Sequence, residues 1–268
     1  MSVAATQSAV EQQPSGYSRF LSHLLSDRER LFAEIEAGED LGAKLAYAAG
    51  TLTALTALYG ASAGAYAGPL QAVSAAVKLP LLFLGTLTIC FPAFFIVQVL
   101  AGSRLRLAQV LALVLSSLTL TAILLAVAVP VSVFFLMTGA NYYFLTLLHV
   151  AIVLGAGLVG MVTLHEGLAF ACEQRGVYPR KAMAIMKAWA VLFAFVGIQM
   201  AWNLQPFVGD RGEPFKVFRK HEGNFYTAIV YSFGRLLRGE PKPPPPTGWH
   251  INVRGMMDAT KPDSTILK

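Results

Sequence analysis

The stretch AQVLALVLSSLTLTAILLAVAVPVSVFFLM, residues 108 to 137, decides what kind of fold this chain can adopt. It runs for 30 residues without an Asp, Glu, Lys or Arg. At 1.5 Å of rise per residue, a helix of that length extends about 45 Å, beyond the roughly 30 Å of hydrocarbon in a bilayer. Pro130 lies inside it and is available to kink it. A helix that is apolar all round has no face to show to water, so lipid is the solvent this segment implies.

Working outward, four more stretches reach spanning length, at roughly 45 to 67, 79 to 101, 142 to 165 and 183 to 204. The first is rich in Ala, Gly and Thr and is the least hydrophobic of the set. The expectation is an all-α membrane protein, a bundle of about five transmembrane helices with amphipathic surface helices at both ends. Its parts are a region at 1 to 44, a transmembrane domain at 45 to 204, a membrane-proximal region at 205 to 240 and a proline-rich tail at 241 to 268. Composition agrees: 55% of residues are hydrophobic and 13% charged, against about a quarter charged in soluble domains. Most of the charge precedes Lys44 or follows Pro206.

The formal net charge of +6 sits in short loops and tails, which reads as orientation signal and contact with anionic lipid rather than as a nucleic-acid surface. Arg19, Arg28, Arg30, Lys44, Arg104, Arg106, Arg175, Arg180, Lys181 and Lys187 fall on one side of the five spans, and Lys78 alone in the opposite short loops. The positive-inside rule then puts the N-terminus in the cytoplasm and the C-terminus on the opposite face. The ten Lys and Arg residues beyond 205 oppose this, and insertion of 225 to 237 would return the tail. Residues 1 to 40 carry no apolar stretch of signal-peptide length, so the first span is expected to direct insertion.

Residues 17 to 37 place Phe20, Leu21, Leu24, Leu25, Leu31, Phe32 and Ile35 at helical spacing, with Ser26 and Glu29 spaced as a capping box. Such a helix either lies in the headgroup plane or packs on its own protein. Phe225, Tyr226, Ile229, Val230, Phe233, Leu236 and Leu237 repeat likewise, flanked by Arg235 and Arg238, and predict a helix resting on the membrane surface. Pro241 and Pro243 to Pro246 then form an extended spacer, beyond which Trp249 to Lys268 is either a segment presented to a partner or a disordered terminus.

Gly60, Gly64 and Gly68 recur every four residues, and Ala151 with Gly155 and Ala156 with Gly160 repeat the pattern in the fourth span. Small residues at this spacing let helices approach closely, within one bundle, between copies of a homo-oligomer, or as a gating hinge. Ionisable groups in the apolar core are few: His149 inside the fourth span, His165 and Glu166 at its end, Lys187 near the start of the fifth. His149 and His165 lie about 24 Å apart along one helix and cannot share a ligand. Ala169 stands where a His-Glu-x-x-His motif needs its second histidine, and no Gly-x-Ser-x-Gly or P-loop occurs. Cys90 and Cys172 read as packing residues. Neither a catalytic centre nor a cofactor or metal site is expected. Gln199, Trp202, Asn203 and Gln205, with Gln98 approaching from a neighbouring helix, read as interfacial anchoring or a polar cavity.

The runs Val77-Lys-Leu-Pro-Leu-Leu-Phe-Leu, Ile89-Cys-Phe-Pro, Gly102-Ser-Arg-Leu, Phe195-Val-Gly-Ile-Gln-Met-Ala-Trp-Asn-Leu-Gln-Pro-Phe and Glu222-Gly-Asn-Phe-Tyr resemble a family of uncharacterised bacterial multi-pass membrane proteins, over about residues 50 to 235. The resemblance implies a bacterial cytoplasmic (inner) membrane location and no reaction. Some members bear a label for an actin-binding motif of the Wiskott–Aldrich homology type, whose Leu-Lys-Lys-Thr core is lacking here, Ala259-Thr-Lys-Pro being the closest remnant. The family is also distantly similar to Yip-type trafficking proteins. Residues and resemblance together lead to the expectation of a non-enzymatic membrane component that anchors or scaffolds a protein partner, in contact with membrane lipids and other membrane or peripheral proteins. The competing expectation is a channel or lipid-handling protein with a pathway along Gln98, Asn141, His149, Gln199 and Asn203.

Overall fold

The computed structural model describes residues 16–100, 103–139, 141–176, 179–209 and 225–238, and these are all-helical. In chain order the helices are α1 (Gly16–Ser26), α2 (Arg28–Ala37), α3 (Leu41–Gly64), α4 (Pro69–Leu100), α5 (Leu107–Val127), α6 (Val129–Met137), α7 (Tyr142–Gln174), α8 (Pro179–Asn203) and α9 (Phe225–Arg238). Among the described residues, five stretches are long and apolar enough to cross a membrane: α3, α4, α5 continued by α6, α7, and Ala184–Asn203 of α8. The proline-rich spacer, the end segment and the basic stretch Arg211 to Lys220 lie outside the described residues.

Several boundaries differ from the sequence reading, each for a local reason. α4 starts at Pro69 rather than near 79. Pro suits a first helical position, and Gln71 and Ala75 are buried in this early turn. α7 continues past 165 to Gln174 because Gly167, Leu168, Ala171 and Cys172 are covered by neighbouring helices. The third span breaks at Ala128 into α5 and α6, two residues before Pro130, whose missing N–H ends the hydrogen-bond ladder. The expected Ser26 capping box is absent: Asp27 is the N-cap of α2, its Oδ1 accepting from the Arg30 amide at 3.3 Å.

α5 forms the centre. Ala112 to Ala122 are buried without interruption, so this helix is enclosed on every side. Its hydroxyls both satisfy themselves and tie neighbours. Thr119 Oγ1 donates to Leu115 O at 2.8 Å and to Ala48 O of α3 at 3.0 Å, and Thr121 Oγ1 reaches Ala156 O of α7 at 3.4 Å. α7 presents Ala156, Gly160, Thr163 and Gly167 as one buried stripe; Gly160 lies against Thr121 and Ser117 of α5. Gly167 forms a notch that receives Phe32 of α2 and Leu113 of α5.

The α3–α4 seam depends on Gly60 and Gly64, which lie against the α4 backbone at Ala75 and Gln71. Gly68 corrects the expected three-glycine line. It lies beyond the helix end with φ +127 and nothing near its Cβ position, so it serves the turn and not the seam. Gly155 is exposed, and a Cβ there would meet nothing within 4 Å, so of the readings open for its spacing close packing inside the bundle does not apply to it.

α8 packs antiparallel on α4. Trp189 Nε1 donates to Cys90 O at 3.1 Å and its ring lies 4.4 Å from that of Phe94, while Met200 faces Gly85 two to three turns away. Trp189→Phe removes the hydrogen bond and keeps most of the ring, and should cost about 1 kcal/mol. Trp189→Ala, which also empties the site, should cost about 3 kcal/mol or more. Thermal denaturation of the detergent-solubilised protein measures both; equal losses would place the energy in the indole N–H alone.

After α8 the chain straps back over the α3–α4 turn. Gln71 Nε2 donates to Pro206 O at 2.6 Å and Phe207 O at 3.2 Å, and Lys78 Nζ to Pro206 O at 3.3 Å. α9 packs against α7 and α8. Its Ser232 is buried, while Val230, Phe233 and Leu237 point outward.

Candidate functional site

The five residues expected to line a polar pathway do not converge. α4 and α8 run antiparallel with Trp189 beside Cys90 and Met200 beside Gly85, which sets Gln98 near the start of α8. Gln98 and Gln199 are therefore separated by about 20 Å of helix, and the expected approach of Gln98 to the Gln199–Asn203 cluster is overturned. Gln98 is buried; Gln199 and Asn203 are exposed, and Asn203 Nδ2 donates to Gln199 O at 2.9 Å. Asn141 caps α7, its Oδ1 accepting from the Tyr143 amide at 3.0 Å. His149 bonds elsewhere: its Nδ1 lies 2.7 Å from the hydroxyl of Tyr59 on α3.

Polar chemistry concentrates instead at the bundle end that carries α1 and α2. Phe20, Leu24, Leu31, Phe32 and Ile35 are all buried, so the pair packs on its own protein, one of the two alternatives its sequence left open. Glu34, itself buried, is the hub: its carboxylate lies 2.6 Å from Arg19, 3.2 Å from Lys44 of α3 and 3.3 Å from His23 Nδ1. Lys44 Nζ also donates to Glu39 O at 2.6 Å. Burial pushes the Glu34 carboxyl up, but hydrogen bonds and charge from Arg19 and Lys44 outweigh it and hold it below the ordinary carboxylate value.

Two arginine clamps complete the attachment. Arg28 NH1 lies 3.3 Å from both Thr163 Oγ1 and Glu166 Oε2 of α7. Arg175 Nε donates to Glu36 Oε1 at 2.8 Å, and its guanidinium also reaches the Arg104 carbonyl. Gln109 accepts from the Arg106 amide at 2.8 Å and donates to Glu36 O at 2.6 Å, tying the start of α5 to the end of α2. The links of Arg28 to Glu166, Gln109 to Glu36 and Arg175 to Glu36 leave little trace in the sequence, since each joins residues more than seventy positions apart.

Beside the Arg28 clamp opens a cleft of about 640 Å³. Its apolar wall is Leu25, Phe32, Ala169 and Phe170, and its rim carries Asp27, Glu29, Glu166 and Glu173. It lies where α7 outruns its apolar stretch. Neither His165 nor Lys187 lines it, so these two and Glu166 do not share this cleft. Among the described residues no three His, Cys, Asp or Glu side chains gather as a metal site, and Cys90 and Cys172 are buried free thiols.

What this arrangement can do chemically is bind: a groove with an apolar wall and an acidic rim, on a platform clamped by ion pairs. No protein-family model, curated protein or solved structure matches the chain.

Proposed function

We propose that this chain is a multi-pass integral membrane protein of the bacterial cytoplasmic membrane, which catalyses no reaction and serves as an anchor or scaffold for a protein partner. Crossing of the bilayer is supported by the outward faces of α3, α4, α7 and α8, where Leu58, Leu81, Ile89, Leu158, Val191 and Phe195 are exposed around the enclosed α5. Apolar faces of that extent are a liability in water and ordinary in lipid. The charge of the short loops favours a cytoplasmic N-terminus, and five crossings then carry the tail to the opposite face against the charge of the tail itself.

The observation that carries the scaffold reading is the cleft beside α2, which lies outside the apolar part of α7 and is held in shape by Arg28, Glu166 and Phe32. An open groove with an apolar wall and charged side chains at its edge suits docking of a protein segment. A photo-crosslinking residue at Ala169 should give one discrete protein adduct in native membranes, and one at lipid-facing Val191 should not. Phe170→Glu should remove the Ala169 adduct. Labelling of Ala169 that is diffuse, or indifferent to Phe170, would sink the reading.

A further inference from the structure

Tyr59, Ser132 and His149 meet from α3, α6 and α7, just past the break at Ala128. Tyr59 is 2% exposed, and its ring stands edge-on to the imidazole with centroids 5.4 Å apart. A phenol is a far stronger acid than a neutral imidazole N–H, so in the 2.7 Å bond the Tyr59 hydroxyl donates and Nδ1 accepts. That leaves the proton of the neutral ring on Nε2. Ser132, buried on α6, donates its hydroxyl to Ala128 O at 3.2 Å.

The imidazole is half-buried, and Tyr59 is its hydrogen-bond partner among the described residues. His149 therefore presents an oriented N–H donor. It sits eight residues inside the Asn141 cap, about 12 Å along α7, below the aromatic girdle in which Tyr66 and Tyr142 pair at 6.1 Å. At that depth an unmet donor is costly, and an acceptor attached to a charged headgroup stays too near the surface to reach it. A neutral ring carbonyl on an apolar molecule reaches it at no charge cost. Phe135 and Phe144, edge-to-face with centroids 4.8 Å apart, tie α6 to α7 about one and a half turns before His149.

We propose that His149, held in its Nε2–H form by Tyr59, is the hydrogen-bond donor of a lateral site at the α6–α7 seam for a neutral carbonyl-bearing membrane molecule of the quinone class. Tyr59 is the positioning residue. The site rests on the bilayer-crossing reading, whose own failure would appear separately as release of the chain from membranes by alkaline carbonate.

The test uses the full chain in vesicles of phosphatidylethanolamine and phosphatidylglycerol, with a photoreactive isoprenoid benzoquinone as probe. Labelling should map to α6 and α7 and be competed by unlabelled quinone. His149→Phe, which keeps ring volume, should weaken apparent affinity about tenfold, the value of one hydrogen bond in an apolar setting. His149→Gln, which restores an N–H donor, should recover part of it. The 15N spectrum of wild-type His149 should show the Nε2–H tautomer, and Tyr59→Phe should mix the tautomers while labelling weakens. Labelling equal in wild type and His149→Phe, an Nδ1–H tautomer in wild type, or competition by added phosphatidylglycerol alone would each overturn the proposal; the last would assign the donor to a phospholipid ester.

Discussion

Gly60→Leu and Gly64→Leu are each expected to destroy the α3–α4 seam. A Cβ built at either position falls inside hard contact with backbone atoms of α4, at Ala75 and Ala76 or at Gln71 and Ala72, and backbone cannot rotate away as a side chain can. The helices must part, which loses the dispersion contacts along the whole seam. Overpacking by single methylenes costs about 1 to 3 kcal/mol, so a leucine against backbone should cost at least about 3 kcal/mol. Gly64→Ala should already be destabilising. Gly155→Leu, at an exposed position with nothing within 4 Å, should be neutral. Unfolding of the reconstituted protein in mixed micelles, followed by tryptophan fluorescence, ranks the four; a Gly155→Leu loss equal to that of Gly60→Leu would mean that Gly155 faces a second copy.

Glu34→Gln should release α1 and α2 from the bundle end. The substitution leaves Lys44, whose side chain is only 10% exposed, beside a neutral amide, while Arg19 is half in water and loses little. Removing one partner of a buried ion pair costs about 3 to 5 kcal/mol, and partial exposure here places the effect near about 3 kcal/mol. Limited proteolysis at the turn of residues 38 to 40, together with thermal denaturation, reads the loss. The same carboxylate sets a pH dependence. Its folded pKa lies below the unfolded one, so its stabilisation is complete above the ordinary Glu value of about 4.3 and drains away as pH falls through the folded value. Wild-type cap release on acidification, absent from Glu34→Gln because that variant is already released, is the expected result.

The five long apolar helices were legible because their signal is local: thirty uncharged residues from 108 to 137 need no partner to be read as helix. Pro130 announced a kink, and the break falls two residues before it. Gly60 and Gly64 were readable as a close-packing face for the same reason, but spacing alone could not tell that Gly68 lies past the helix end or that Gly155 points outward. Both facts depend on where neighbouring helices sit. The polar pathway failed for that reason too, since side chains on antiparallel helices were grouped without their register. What the sequence concealed most was pairing at a distance: Tyr59 with His149, Phe32 with Gly167, Arg28 with Glu166. One detectable cue was overlooked, the continuation of Ala156 and Gly160 to Thr163 and Gly167 at helical spacing, which marks the inward stripe of α7.

The strap formed by Pro206 and Phe207 and the packing of α9 divide mechanical load between two routes. Because Gln71 and Lys78 grip the strap carbonyls, and α8 leans mainly on α4, load carried through residues 206 to 209 is delivered to α4 and thence to the two-glycine joint with α3. A pull from beyond residue 238 meets α9 first, and α9 leans mainly on α7. A tether attached there would therefore load α7, which carries one wall of the cleft, before it strained the joint at Gly60 and Gly64.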